Sequence, residues 1–219
     1  MSKFIKVCWK IFLWFNIVSI FLVILYAFVP IPYTITMFTR KVQNDWSSTN
    51  YTWKSYHEIS PNMPLALVSS EDQKFPDHYG FDLDGIKTAI EKNKNGNVIR
   101  GGSTISQQVA KNVFLWQHKS YFRKALEAYY TVLIEIFWSK KRILEVYMNV
   151  SETGINTFGV EEGAKRYFNI SAVNLTKSQA AQIASVFPSP QKWDVGNKRG
   201  AKIMRQMNNL GTDYLKKIE

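Results

Sequence analysis

The N-terminal apolar run constrains this chain more than any other feature of its 219 residues. Residues Ile11 to Val29 form a 19-residue run that only Asn16 and Ser19 interrupt with polar side chains. A helix rises about 1.5 Å per residue, so the run is long enough to cross a hydrocarbon core of roughly 30 Å. We therefore predict a transmembrane anchor over residues 11–29, preceded by a short cytoplasmic N-terminus over residues 1–10.

The residues that flank the run predict its orientation. Lys3, Lys6 and Lys10 precede it, and basic flanks stay on the cytoplasmic side, so the rest of the chain is expected outside. The alternative is a cleaved signal peptide. The run exceeds the apolar part of a typical signal peptide and no Ala-x-Ala cleavage site follows it, which favours an uncleaved anchor.

The composition limits the class of partner. Lys and Arg total 28 against 17 Asp and Glu, for a formal net charge of +11. This excess favours an anionic partner, but it does not distinguish nucleic acid, an acidic membrane and a phosphorylated substrate. The single cysteine, Cys8, excludes a disulfide framework, and the three histidines lack zinc-site spacing. The basic cluster Lys140 to Arg142 is expected to face solvent or lipid headgroups.

Beyond the anchor the pattern is mainly helical. The aromatic-rich stretch 30–60 is assigned as a membrane-proximal segment, which either lies along the bilayer surface or supplies core aromatics. From residue 61 apolar residues recur at helical spacing and strand-like alternation is scarce, so we predict one mainly α domain over residues 61–219. Helix starts are expected at Asp82, Ser103, Ser139 and Thr176, and the last helix over about Lys198 to Leu215.

The segment Gly101 to Asn112 (GGSTISQQVAKN) has the pattern of an anion site. Two glycines precede a helix start, where free backbone N–H groups and the helix dipole favour an anion. Ser103, Gln107 and Lys111 recur at four-residue intervals and share one helix face, with Gln108 beside them. That face suits a ligand that carries phosphate or sugar; an ordinary solvated helix face is the alternative.

Two further segments carry candidate acid–base and ion-pair residues. Glu71 and Asp72 end an apolar helix. A carboxyl group at the edge of an apolar surface has its pKa raised, because desolvation disfavours the charged form, and it then suits general-base chemistry. Simple helix termination explains these residues equally well. Arg123, Lys124 and Glu127 are neighbours on a predicted helix, and they form either surface ion pairs or a carboxylate set between two cations in a site.

These segments, in this order, resemble the peptidoglycan glycosyltransferases of glycosyltransferase family 51. The motifs are EDQKFPDHYGFD from Glu71, GGSTISQQVAKN from Gly101, RKALEAYYTVLIE from Arg123 and KKRILEVYMN from Lys140, followed by GVEEGAKRYF from Gly159. Ser106 stands where the family usually has Thr. The family's last basic helix is matched only loosely by residues 198–207, which contain Gly200. No transpeptidase motif pair occurs, so the layout resembles the monofunctional branch.

The resemblance implies a lysozyme-like helical fold and a lipid-linked substrate in the bacterial cytoplasmic membrane, with the catalytic domain on the external side. The growing lipid-linked glycan is the implied donor and lipid II, a disaccharide-pentapeptide on undecaprenyl pyrophosphate, is the implied acceptor. A β-1,4 bond forms with inversion and undecaprenyl pyrophosphate leaves. Other cell-wall synthesis proteins are left open as partners. Nucleic acid is not expected, because the lipid and the pyrophosphate account for the charge.

The resemblance also implies residue roles. Glu71 matches the general base, and Glu127 matches a second glutamate that either orients neighbouring cations or holds a divalent metal, Mg²⁺ or Mn²⁺. No organic cofactor is expected. The other matched positions are expected to contact substrate: Asp72, Ser103, Thr104, Gln107, Gln108, Lys111, Asn112, Lys119, Arg123 and Lys124. Of these, Lys111, Arg123 and Lys124 are expected beside the pyrophosphate, and Lys119 is a weaker match.

Three alternatives compete with this interpretation. A lytic enzyme that cleaves the same glycan would share a lysozyme-like fold and one catalytic glutamate, but it has no pyrophosphate to bind. An inactive membrane-anchored scaffold would not require both Glu71 and Glu127. A basic nucleic-acid-binding protein conflicts with the predicted anchor and external topology.

Overall fold

The computed structural model describes residues 2–94, 102–118 and 120–218, and its fold there is mainly α, as predicted. The α-helices are α1 (Lys3–Phe28), α2 (Ile35–Gln43), α3 (Asn62–Glu71), α4 (Leu83–Lys94), α5 (Ile105–Phe114), α6 (Tyr121–Phe137), α7 (Lys140–Val150), α8 (Gly159–Phe168), α9 (Lys177–Val186) and α10 (Lys198–Leu210). The strands are β1 (Asn50–Tyr51), β2 (Glu152–Gly154) and β3 (Thr157–Phe158). A 3-10 segment, Thr212–Ile218, follows α10.

Helix α1 is the one described helix that is long and apolar enough to cross a membrane. It extends beyond the predicted run and begins at Lys3. Most of its large apolar side chains are exposed on the outside of the fold, for example Phe4, Trp14 and Phe28. This is the exposure expected of a helix surrounded by lipid.

The C-terminal half of α1 is docked against the rest of the fold by polar contacts. The two residues that interrupt the apolar run both have partners: Asn16 Oδ1 accepts a hydrogen bond from Tyr129 at 3.0 Å, and Ser19 Oγ lies 3.0 Å from the Tyr130 hydroxyl. Trp138 Nε1 donates to the Val23 carbonyl at 2.7 Å. Polar groups on an apolar helix need such partners, so the interruptions in the run mark the face that meets α6.

Helix α3 occupies the centre of the core. Its residues from Met63 to Ser69 are all buried, and α9 and α10 pack against it. A helix that is apolar on every side is stable only when it is surrounded, which explains why the run Leu65 to Val68 lies inside. The helix ends at Glu71, so this carboxylate is placed where the core opens towards solvent.

Most predicted helix starts are confirmed. Asp82 Oδ1 accepts from Gly85 N, Ser139 Oγ accepts from Arg142 N, and Thr176 forms a capping box with Gln179. Two boundaries differ. The N-cap of α5 is Thr104 rather than Ser103. The Thr104 hydroxyl accepts a hydrogen bond from the Gln107 N–H, whereas Ser103 is exposed. The last helix ends at Leu210, where Gly211 with a φ of +76° stops it.

The aromatic stretch before residue 61 divides between the two expected environments. Trp53 and Tyr56 pack against the core, whereas Phe38 and Trp46 are 52% and 63% exposed. Strand β1 within this stretch pairs in parallel with β3, in a small sheet of order β1-β3-β2. The stretch is therefore part of the folded unit and not a free linker.

The expectation for the basic cluster at residues 140–142 is wrong for two of its three members. Lys140 Nζ binds the His78 carbonyl at 2.5 Å and the Glu135 carboxylate at 2.8 Å. Arg142 donates to the Tyr26 and Val29 carbonyls at the end of α1. Both cations are largely buried, because carbonyl and carboxylate oxygens replace their hydration.

Two glycines provide a matched test of the packing. A Cβ at Gly200 would lie 3.4 Å from Gln182 Cγ, an ordinary contact, so Gly200→Ala should keep the fold and gain up to about 1 kcal/mol of helix stability. Gly159 has a φ of +81°, and a Cβ there would lie 2.7 Å from the Asn149 carbonyl. We expect Gly159→Ala to cost roughly 1–3 kcal/mol and to lower the melting temperature by several degrees.

The measurement is thermal unfolding of the detergent-solubilised full chain, followed by intrinsic tryptophan fluorescence. Similar losses in both variants would show that α9 and α10 are packed more closely at Gly200 than the structure indicates.

Candidate active site

A cavity of about 1080 Å³ opens where α3 ends, α5 begins and α10 crosses them. Its walls combine charged and aromatic side chains with backbone from the start of α5. The lining includes Glu71, Ser103, Gln108, Trp193, Arg199 and Lys202.

Glu71 lies in the wall of this cavity with 13% of its side chain exposed. Gln108 Nε2 donates to its Oε2 at 3.2 Å, and Arg199 Nη2 lies 3.6 Å from its Oε1. Burial raises the pKa of Glu71 above its ordinary value, while Gln108 and Arg199 oppose that rise. Oε1 is buried and accepts no hydrogen bond from any residue that the structure describes, and the Arg199 guanidinium is the charged group that faces it.

Asp72 joins the end of α3 to the start of α5. Its carboxylate lies 3.1 Å from His78 Nε2 and accepts the Ile105 N–H at 3.0 Å. A buried carboxylate at a helix N-terminus is stabilised by the free N–H groups there. Asp72 was expected to contact substrate. It lines the cavity, and both of its oxygens also have partners within the protein, so the substrate contact stays a prediction.

Several other residues that were expected to contact substrate form hydrogen bonds within the protein. Thr104 Oγ1 donates to the Gly80 carbonyl at 2.6 Å, and Gln107 Oε1 accepts the Thr104 N–H at 3.0 Å. Asn112 Oδ1 lies 3.4 Å from Gln117 Nε2, away from the cavity lining. These side chains build the N-terminal turn of α5 and its contact with α2. Lys119 and Gly101 lie outside the described residues.

Helices α5 and α6 together form a cationic cluster, which consists of Lys111 from α5 and of Arg123 and Lys124 from α6, around the carboxylate of Glu127. Arg123 Nη1 binds Glu127 Oε2 at 2.5 Å, and Lys124 Nζ binds Oε1. Glu127 and Arg123 are both buried, so their ion pair is not an ordinary surface pair. Burial lowers the pKa of Lys111, Glu127 raises it, and Arg123 and Lys124 lower it further.

The cavity and the cationic cluster meet at one residue. Ser103 lines the cavity, and its Oγ accepts a hydrogen bond from Lys124 Nζ at 3.3 Å. Lys111 also lies near enough to Glu71 to favour its ionised form. The structure thus places a proton acceptor beside a region with more cations than carboxylates, which suits a ligand that bears both hydroxyl and phosphate groups.

The residues around Glu127 do not fit a divalent cation. Both carboxylate oxygens are occupied by the Arg123 and Lys124 donors, and Lys111 adds a third positive charge. Mg²⁺ and Mn²⁺ need several oxygen ligands. Among the described residues no group of three or more His, Cys, Asp or Glu could supply them. Of the two roles expected for Glu127, orienting the cations is the one that these contacts support.

Sequence reasoning missed three residues of the site. Arg199 belongs to the loosely matched basic segment, so the sequence indicated a basic helix there but not which cation faces Glu71. Trp193 lies under it, with the Arg199 guanidinium 5.3 Å from its ring centre. Tyr147 lies in the motif that starts at Lys140 but was given no role, and its hydroxyl contacts Gln108 at 2.9 Å. Its short helix pattern contains no signal that distinguishes this role.

Comparison with known proteins gives one consistent result. The Transglycosylase family model matches residues 38–212. A biosynthetic peptidoglycan transglycosylase of Pseudomonas fluorescens (strain Pf-5) is 46% identical, over 95% of this chain and 92% of that protein. Proteins of the same name from Caulobacter vibrioides and Mannheimia succiniciproducens are 49% and 45% identical, over 86% and 98% of this chain and 81% and 93% of their own lengths.

The family match confirms the predicted class of fold, a mainly α, lysozyme-like transglycosylase domain that follows an apolar helix. It also confirms the resemblance carried by the four motifs. The chain therefore belongs to the transglycosylase family, and it is a peptidoglycan glycosyltransferase.

Proposed function

We propose that this enzyme polymerises peptidoglycan glycan by transferring the lipid-linked growing chain to lipid II, with Glu71 as the general base. The observation that carries the proposal is the position of Glu71, largely buried in the wall of a large cavity and close enough to Lys111 of the cationic cluster to be influenced by its charge. A hydrolase of uncharged sugar linkages would need the carboxylate but not these cations.

The first part of the reaction is proton removal. The Glu71 carboxylate, in the wall of the cavity, takes the proton of the acceptor GlcNAc 4-hydroxyl. The oxygen attacks C1 of the donor MurNAc. The raised pKa of Glu71 makes it a stronger base than an exposed glutamate, while the Gln108 donor and the Arg199 guanidinium keep its ionised form populated.

The second part is departure of the leaving group. As the new C1–O bond forms on one face of the sugar, the bond from C1 to the pyrophosphate oxygen breaks on the other face, which gives a β-1,4 linkage with inversion. The electron pair stays on undecaprenyl pyrophosphate. Lys111, Arg123 and Lys124 stabilise that charge electrostatically, and Glu127 holds the last two in place. No step requires a metal.

The location we propose is the bacterial cytoplasmic membrane, with α1 as an uncleaved anchor and the catalytic domain on the external side. The lysines at positions 3, 6 and 10, the exposed apolar surface of α1 and its polar contacts with α6 support this orientation. Contacts with other cell-wall synthesis proteins stay a prediction.

The direct test is incubation of the solubilised full chain with labelled lipid II, beside Glu71→Gln. We expect long glycan that muramidase digests from the wild type, and a loss of about 10²–10⁴-fold in rate from Glu71→Gln, the usual contribution of a general base. Glu162→Gln is the matched control, because Glu162 on α8 forms only ion-pair contacts with Lys165 among the described residues. It should polymerise at the wild-type rate.

Other outcomes of this assay identify the competing functions. Cleavage of preformed glycan without polymerisation would move the chain to the lytic class. Binding of lipid II with neither activity would identify a scaffold.

The pH dependence of polymerisation follows from the environment of Glu71. The base must be ionised, and burial raises its pKa. Activity should therefore be lost, as pH falls, at a pH above the ordinary glutamate value of about 4.3. Arg199→Gln removes a cation that lowers this pKa, so the acidic limb should move to still higher pH. A limb that stays in place in Arg199→Gln would contradict the role of Glu71 as the titrating base.

The cationic cluster gives an independent prediction. Lys111→Gln keeps a polar side chain but removes a buried positive charge, and we expect a loss of roughly 10²–10³-fold in rate from weaker stabilisation of the leaving pyrophosphate. The control is Lys87→Gln, an exposed lysine on α4. Equal rates in the two variants would mean that the pyrophosphate does not bind at this cluster.

A further inference from the structure

Helix α7 contributes a buried hydroxyl to the back of the active site. Tyr147 has no exposed surface, and its ring packs against Phe187 with ring centres 5.5 Å apart. Its hydroxyl lies 2.9 Å from Gln108 Oε1, and Gln108 Nε2 lies 3.2 Å from Glu71 Oε2. The three groups form a chain that runs from the core to the proposed base.

The direction of hydrogen bonding in this chain is fixed by chemistry. A carboxamide oxygen only accepts, so the Tyr147 hydroxyl donates to Gln108 Oε1. Burial, together with the Glu71 and Asp72 carboxylates, raises the pKa of Tyr147 well above its ordinary value, so the phenol stays protonated at neutral pH. The Gln108 amide group is thereby held with its N–H₂ end towards Glu71.

The opposite orientation of the amide would favour the wrong form of Glu71. With the amide flipped, Gln108 Oε1 would face the carboxylate, where two acceptors repel unless Glu71 carries a proton. The Tyr147 hydrogen would then lose the acceptor that the structure gives it. A buried donor without a partner is unfavourable, so Tyr147 biases the amide against the flip.

We infer that Tyr147 is a positioning residue, which acts through the Gln108 amide to keep Glu71 in its ionised, proton-accepting form. This inference rests on the proposed function of Glu71 as the base. The other charged groups near Glu71 are Arg199 from α10, Lys111 from α5 and Asp72 at the end of α3. None of them contacts the amide in the structure, so the relay is separable from their effects.

The test is the rate of lipid II polymerisation by the full chain across the acidic and neutral pH range. Tyr147→Phe removes only the hydroxyl, and we expect the midpoint of the acidic limb to rise by about half to one pH unit. The plateau rate at higher pH should stay close to that of the wild type, because Glu71 is ionised there in either amide orientation. A purely structural defect would lower the rate at every pH instead.

Two further variants isolate the relay. Tyr167→Phe removes a half-buried hydroxyl that donates to the Thr153 carbonyl at 2.7 Å and does not line the cavity, and its pH profile should match the wild type. Gln108→Leu removes the amide itself, and its midpoint should rise at least as far as that of Tyr147→Phe. Adding Tyr147→Phe to Gln108→Leu should shift the midpoint no further. Gln108→Leu retains the phenol, so it tests the relay even if Tyr147→Phe folds poorly.

The outcomes separate the inference from the function on which it rests. A wild type that makes no polymer overturns the proposed function and, with it, the relay. A wild type that polymerises, together with an unshifted midpoint in Tyr147→Phe or Gln108→Leu, overturns the relay alone. An additive shift in the double variant also overturns it, because Tyr147 would then act by a route other than Gln108.

Discussion

The carboxylate of Asp72 holds together the two helix ends on which the site depends. Glu71 is the last residue of α3, and Gln108 lies about one turn after the first residue of α5. The Asp72 carboxylate accepts a hydrogen bond from the first N–H of α5 and lies within hydrogen-bond distance of His78. The end of α3 and the start of α5 therefore meet at this one buried carboxylate. Without that link each helix would be stable against its own neighbours, but the distance between Glu71 and Gln108 would not be set.

The charges of the site are arranged so that each buried group has a partner. Arg123 and Glu127 form an ion pair in the interior. The half-exposed Lys124 binds the other oxygen of the Glu127 carboxylate. Lys111 lies beside this group on α5, and burial is the main reason that its pKa is lowered. Burial of a charge is unfavourable, so a region that keeps surplus positive charge is stabilised when an anion enters it. The same surplus would be of no use next to a neutral ligand.

The sequence was sufficient to predict the elements but not the contacts of individual polar residues. Helix starts were found because a capping residue and its partner are close in the chain, as at Thr176 and Gln179. Part of the motif between Gly101 and Asn112 lines the cavity, yet Thr104 and Gln107 also form the capping box at the start of α5. Polar residues in a motif can build a site or touch its ligand, and spacing alone does not separate these roles.

The residues that sequence reasoning missed depend on long-range packing. Arg199 reaches Glu71 because α10 packs against α3, and Tyr147 reaches Gln108 from a helix that begins far along the chain. The buried interior positions of Lys140 and Arg142 were missed for the same reason, since their oxygen partners come from distant segments. Local patterns contain no information on such partners.

The docking of α1 has a mechanical consequence. Hydrogen bonds from Tyr129, Trp138 and Arg142 attach the helix along its C-terminal half, so it is not a flexible tether. Any tilt of α1 turns the catalytic cavity by the same angle. With α1 inserted in a bilayer, the distance of the cavity from the N-terminal lysines is set by a rise of about 1.5 Å for each residue between them and Asn16. A thicker or thinner membrane then moves the cavity relative to the headgroups, because the hydrogen bonds between α1 and the rest of the fold do not let the two shift independently.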